Sequence, residues 1–430
     1  MIFGCNKVSQ RVFSSIDAAT LEVHHTRCAG RRVRVASPAR LVAMVWIQPT
    51  LVGPSPAGRG GCASAVCGND LVFIGGADRS PKALDDVWVL RFEGRHPLTS
   101  RWIRQTTTSR NGETFPAGRS GHSATTIGSE IYVFGGMDPV SGTCFNDVVV
   151  LSTQNWEWRR LALAETGSPP PRNAHVACAF RNDTCIVVHG GSSPDQGPMG
   201  DIHVLNVLEG REKWERPRVT GQAPDPREMH AGVCMDDELI ICGGRGRDGV
   251  TLSDIVVLDL TEMRWVRKGL FPNGALCAHG AATWQTRSGQ NACAIFGGVD
   301  GQTLRPNELT VFDCETLAKV ALNEKALNPN PSVTLDDDKA LNPNPKAPAS
   351  RFAHACVSLR LAFAEDGGNG KTCQHAFVVF AGVTPAFDLR DVWVWVEDFG
   401  TREETPRVAT PTVATPPVAT PSTVPASDLD

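Results

Sequence analysis

Six times along the 430-residue chain a short apolar run ends at glycine, a polar loop follows, and a second apolar run begins. The first runs are LVFIGG (71–76), IYVFGG (131–136), CIVVHGG (185–191), LIICGG (239–244), ACAIFGG (292–298) and FVVFAG (377–382). The second runs are DDVWVL, NDVVVL, GDIHVL, SDIVVL, NELTVF and RDVWVW. Val, Ile and Phe fill both, and Gly, Pro, Asn and Asp bound them, which is the chemistry of strands and turns. The closing glycines recur every 53 to 60 residues until the last interval of 84. A Trp follows the glycines by 21 to 26 residues, at Trp102, Trp158, Trp214 and Trp265. Ahead of the glycines stand segments such as PAGRSGHSA, PPRNAHVA and PASRFAHAC, an Arg with a His three residues on. Each unit therefore predicts four strands: a with Arg-x-x-His, b ending in glycine, c of Asp-Val type, and d with Trp. Glycine at the end of strand b suits a sharp exit where backbones crowd together.

This repeat resembles the kelch family over about Val45 to Val396, and the resemblance implies a β-propeller of four-stranded blades. The expected fold class is all-β: a six-bladed kelch propeller over 44–398, with a disordered N-terminal extension (1–43) and a disordered tail (399–430). The sixth unit lacks a Trp strand, whereas the chain carries a spare one around Trp46. That strand is expected to serve as strand d of the last blade, tying the ring shut and leaving no open edge. Blade five departs from the pattern: Lys319 stands where Trp265 stands in blade four, and GALCAHGAA keeps His279 without an Arg. It should be the least well packed blade. Antiparallel strands place the b–c and d–a loops on one face, the a–b and c–d loops on the other.

Charge adds little: 42 basic against 46 acidic residues, net -4, with no broad basic field for nucleic acid. No apolar run approaches the ~20 residues of a membrane helix, so no membrane insertion is expected. Residues 1–43 are basic, and both an organelle presequence and a disordered extension fit them; the working expectation is a cytoplasmic protein. Residues 323–347 repeat KALNPNP around an acidic DDD, which reads as a loop insertion. The tail carries Thr-Pro at Thr405, Thr410, Thr415 and Thr420, candidate sites for proline-directed phosphorylation or parts of an inert spacer. The 14 cysteines include no CxxC pair and read as buried thiols, though Cys178 with Cys185 and Cys234 with Cys242 could meet across hairpins.

Catalytic motifs fail on context. Gly244, Gly246 and Gly249 match GxGxxG, but a strand follows where a phosphate-binding helix is required. GGNGKT (367–372) lacks the first glycine of a P-loop, since Glu365 stands there. Copper oxidases with kelch-like propellers use phenolate ligands, and Tyr132 is the sole tyrosine; the same shortage argues against a sialidase nucleophile. The Glu-x-x-x-Asp-x-x-x-His iron motif of kelch-type specifier proteins is absent. Asn182-Asp183-Thr184 fits a glycosylation pattern and equally a hairpin turn. His122, His175, His230, His279 and His354 recur at one repeat position, as do Arg59, Arg119, Arg172, Arg227 and Arg351. Recurrence favours packing for the first set over a metal ring, and blade-to-blade hydrogen bonding for the second over a ligand clamp. No catalytic, metal or cofactor site is expected.

What remains is surface. Arg79, Lys82, Arg245, Arg247, Asp248, Asp300 and Arg305 follow the glycine doublets on loops of one face, as a charged docking patch or as solvated loop residues. The expected function is non-enzymatic: an interaction module or scaffold for a protein partner. Within the kelch family the layout resembles effectors of Rab-type GTPases in endosome-to-Golgi transport, which implies a small GTPase partner. Two rivals are an enzyme or metal-dependent reaction modifier using the central channel, and a subunit of a larger assembly recruited through its Thr-Pro tail.

Overall fold

In the computed structural model, the described residues are 44–80, 82–95, 98–110, 116–272, 274–285, 290–301, 303–320, 347–364 and 371–397. The basic extension, the Asn-Pro insertion up to residue 346, and the tail with its four threonines lie outside them.

The glycine-terminated runs become strand b of six sheets. Blade one comprises Ala63–Cys67, Asp70–Ile74, Val87–Arg95 and Leu98–Gln105. Blade two comprises Ser123–Ile127, Glu130–Phe134, Val148–Ser152 and Glu157–Arg160. Blade three is Val176–Phe180, Cys185–His189, Ile202–Asn206 and Lys213–Glu215, and blade four Ala231–Met235, Glu238–Cys242, Asp254–Asp259 and Arg264–Leu270. Blade five holds Gly280–Gln285, Asn291–Phe296 and Leu309–Asp313, three strands where the others have at least four. Blade six takes Ala355–Ala364, Lys371–Phe380 and Val392–Glu397 from the C-terminal part, and its fourth strand is Met44–Ile47.

That last pairing is the expected closure. Met44 to Ile47 run antiparallel to Glu397 to Val394, with Trp46 opposite Trp395. The Trp46 ring lies edge-on to Phe296 of blade five at 5.4 Å and to Phe377 at 6.3 Å, so it also fills the seam to the neighbouring blade.

Each seam carries its own apolar core, because each sheet buries both faces. Blades one and two share Val72, Val89, Val133 and Val149; blades three and four share Val187, Val204, Ile241 and Val256. The blade six and one seam joins Phe73 to Phe380, whose rings lie 4.5 Å apart. Adjacent sheets hold each other in place all the way round.

Two circles of backbone hydrogen bonds complete the ring. In the inner one, the residue before each recurring His donates to its counterpart in the preceding blade. Gly121 N–H bonds Gly61 O at 2.9 Å, then Ala174 to Gly121 (2.7 Å), Met229 to Ala174 (3.0 Å) and Ala278 to Met229 (2.8 Å). Ala353 to Ala278 (2.9 Å) and Gly61 to Ala353 (2.8 Å) close the circle. All six have φ between +51° and +65°. In the outer circle the closing glycine of strand b donates to the Arg carbonyl of the next blade in five cases, as Gly76 does to Arg119 at 2.9 Å, and Gly244 donates to Leu276 O at 2.8 Å. At Gly243 the reason for glycine is plain: φ is +54°, and a Cβ would lie 2.2 Å from the Leu276 carbonyl oxygen.

The recurring histidines fill the same crowded place. His122 lies against Gly75 of blade one and Gly136 of its own blade, and Cys62 takes the His position in blade one. The proposed cysteine hairpin partners do not meet. Cys178 pairs with Val187 and Cys234 with Leu239, and all the described cysteines are free thiols.

Candidate functional site: the b–c loop face

The recurring arginines set the geometry of this face. Arg227 is fully buried and bonds the Gly243 carbonyl through Nη1 at 2.9 Å, and the Asp254 carboxylate through Nη1 (2.7 Å) and Nη2 (3.1 Å). Its Nε donates to Asp225 O at 3.1 Å. Arg59 with Asp86, Arg119 with Asp147, Arg172 with Asp201 and Arg351 with Asp391 repeat the arrangement. One guanidinium thus joins the lead-in to strand a, the end of strand b and the start of strand c within a single blade. The expected blade-to-blade bonding is not made by the guanidinium groups, which work inside their own blade; the bonds between blades use backbone carbonyls, that of Leu276 as well as those of the arginines. The arginines also precede strand a rather than begin it. Burial alone would raise the Asp254 and Asp391 carboxyls, but bonds from Arg227 and Arg351 outweigh it and hold both below the ordinary carboxylate range.

The recurring histidines are neutral packing groups. Burial, aided by neighbouring arginines, lowers His122, His175 and His354 to about 3. His175 Nε2 meets Ser123 Oγ at 2.9 Å, and His189 Nδ1 meets His230 Nε2 at 3.0 Å. The rings of His122, His175, His230 and His354 lie against a glycine of the preceding blade, Gly75, Gly135, Gly190 and Gly297 in turn.

The seven charged loop residues divide between opposite sides of the ring. Arg245, Arg247 and Asp248 of blade four adjoin Asp300 and Arg305 of blade five, while Arg79 and Lys82 sit across the ring in blade one. Most of the first group, and Arg79, are engaged. Arg245 binds Glu228 through Nη2 at 2.6 Å, and Glu228 also accepts from Ser192. Arg305 pairs with Asp300 at 3.3 Å. Arg247 donates to Pro198 O of blade three at 3.3 Å. Arg79 reaches blade six, where it donates to Thr384 O and pairs with Asp388 at 3.3 Å. Lys82 and Asp248 are exposed. These charges stitch neighbouring loops to one another as well as facing solvent.

The same face carries apolar tips that charge-based reading passed over. Val140, Val250 and Phe387, on the b–c loops of blades two, four and six, are 71%, 60% and 52% exposed, and Leu270 at the end of strand d of blade four is 77% exposed. Of six exposed large hydrophobics among the described residues, only Leu208 and Leu51 lie elsewhere, at a c–d turn and on an outer edge. The available signal was an apolar residue within a polar loop: MDPVSG, GRDGVT and TPAFDL.

Closed rings of radial four-stranded sheets with one loop-bearing face define a β-propeller scaffold. The chain belongs to the kelch-repeat family. The model for the KLHDC2/KLHL20/DRC7 Kelch-repeats domain matches residues 37–136, 96–275 and 211–334. An F-box/kelch-repeat protein of Arabidopsis thaliana is 26% identical over 276 residues, covering 61% of this chain and 56% of that protein. Acyl-CoA-binding domain-containing protein 4 of the same plant is 28% identical over 277 residues, 63% of this chain and 38% of the relative. Human host cell factor 1 is 26% identical over 354 residues, 75% of this chain and 16% of the relative. The chain thus spans about half, or less, of the length of these relatives. The solved structure of YjhT superposes with a TM-score of 0.52 at 12% identity, covering 81% of this chain and 99% of that one, which supports the fold alone. Kelch propellers commonly serve as protein-interaction modules.

Proposed function

We propose that this propeller is a non-catalytic docking module, and that its b–c face receives a protein partner. The observation that carries this reading is the set of exposed apolar tips, Val140, Val250, Phe387 and Leu270, distributed over one face among charged loops. Apolar anchors within a polar surround are the usual anatomy of a protein interface. The opposite reading, an enzyme working through the central channel, has to act past a circle of mutually satisfied backbone groups and histidines already packed between blades. A small GTPase of the Rab type, suggested by the sequence layout, is the most specific form of the docking reading, and a cytoplasmic location goes with it.

Proximity labelling by the full chain tests the reading. A variant with Val140→Asp, Val250→Asp and Phe387→Asp is compared with Leu208→Asp on the other face. Loss of the wild-type label set in the first variant alone supports b–c docking; an equal label set in both removes it. Binding to a Rab-type GTPase, if it is the partner, should require the GTP-bound state.

A further inference from the structure

Blade five breaks the arginine pattern in a way that leaves a shaped vacancy. Where five blades place a buried Arg, blade five has Leu276, 3% exposed. The acceptors the guanidinium would use are still there. The carboxylate at the start of strand c persists as Glu308, one methylene longer than the Asp of other blades, directly before Leu309. The Gly297 carbonyl occupies the position of Gly75, Gly135, Gly190 and Gly243, each of which accepts from an arginine. Leu276, at the arginine position of this blade, has no side-chain donor to offer it. Between these groups lies a cavity of about 260 Å³, lined by Gly297 and Glu308 with Leu276, Phe271, Ile295 and Arg305. A cavity of about 150 Å³ already holds a benzene ring.

We infer that this cavity is a receptor for a guanidinium: an arginine side chain of a protein partner enters beside Leu276 and takes over the bonds that Arg227 and its counterparts make internally. The five occupied blades are the internal template, since each shows a guanidinium held by a carbonyl at the end of strand b, from glycine in four blades and Ala381 in the sixth, and by one carboxylate. Charge at the rim permits entry. Lys319 binds Glu308 Oε1 at 3.2 Å, and Oε2 takes no bond among the described residues. Arg305, the cation on the wall, is committed to Ala275 O at 3.0 Å and to Asp300 at 3.3 Å. Planar, two-pronged bonding to a carboxylate selects arginine over lysine. The cavity walls belong to the b–c loop of blade five and the d–a connection from blade four, so the inference rests on the docking reading and names its chemistry.

The test uses the full chain and acetyl-arginine amide, with acetyl-lysine amide and acetyl-citrulline amide as controls, followed by NMR titration or calorimetry. The arginine probe should bind, the lysine probe more weakly, and citrulline not at all. Glu308→Gln should weaken arginine binding by at least about tenfold, the loss expected for one charge-assisted pair. Leu276→Arg should abolish it while raising the melting temperature, because the new side chain completes the sixth guanidinium site. Absence of arginine binding, or binding unchanged in both variants, overturns the inference. Partner labelling lost in the Val140/Val250/Phe387 variant but kept in Leu276→Arg would also overturn it while leaving the docking reading intact. Arginine binding that responds to both variants, with labelling indifferent to the loop tips, would reject the docking reading alone.

Discussion

Replacing Arg227 by Leu makes blade four resemble blade five, and the cost can be worked from its contacts. The substitution removes bonds to Asp225 O, Gly243 O and both Asp254 oxygens. It strands Asp254, 11% exposed, with Lys268 at 3.5 Å as its remaining cation. Removing one partner of a buried pair costs about 3–5 kcal/mol, because the surviving charge keeps its desolvation penalty. The nearby lysine places the expectation near the lower end, about 3 kcal/mol. At about 2.1 cal/mol/K per residue, a ring of roughly 300 residues gives a melting entropy near 0.6 kcal/mol/K, so the midpoint should fall about 5 °C. Thermal melts followed by far-UV dichroism measure this. The double variant Arg227→Leu/Asp254→Leu should regain most of the loss, since an apolar pair of similar size tolerates burial. A single variant within about 1 °C of wild type, or a double variant no better than the single, would refute the reasoning.

Three further outcomes follow from the packing. Acid should unfold the ring: burial lowers His122, His175, His189, His279 and His354 from 6.5 to about 3, so the native state keeps them neutral while the unfolded chain protonates. Their stabilising share is complete above pH 6.5 and lost as pH falls toward 3, about 2 kcal/mol each at pH 5. Together that approaches the whole stability of a domain, so melting temperature should drop steeply from pH 6.5 to 5, and a flat profile down to pH 4 contradicts it. Gly243→Ala should cost about 2–4 kcal/mol in denaturant titrations, since positive φ and the Leu276 carbonyl both oppose a Cβ. Trp46→Ala should cost about 3–5 kcal/mol by opening the closure seam against Phe296 and Phe377; an unchanged midpoint would remove Trp46 from the closure.

The ring was legible because its parts recur in side chains. Glycine at the end of strand b, Arg-x-x-His and Trp mark most of the blades, and the unmatched Trp46 pointed to closure. Lys319 and the missing Arg beside His279 marked blade five as the exception, and the cavity lined by Leu276 and Glu308 lies there. The inner hydrogen-bonded circle was not legible, because it is backbone chemistry: Gly61 and Gly121 hint at positive φ, while Ala174, Met229, Ala278 and Ala353 give no sign of it. The Arg–Asp pairs were half visible. The Asp before strand c in five blades was read as a turn residue, and only folding brings it to a guanidinium some 27 to 40 positions away. Charge drew attention to Arg245 and Arg305, yet both are committed to neighbouring carboxylates, whereas Val140, Val250 and Phe387 stand free of such pairing.

The docking claim is tested most directly by hydrogen–deuterium exchange of the full chain with and without its partner, once labelling identifies one. The account predicts protection in the b–c loops around Val140, Val250, Arg305 and Phe387. Protection confined to the turns at Asn182, Asp237 and Leu208 would place the interface on the opposite face and contradict it.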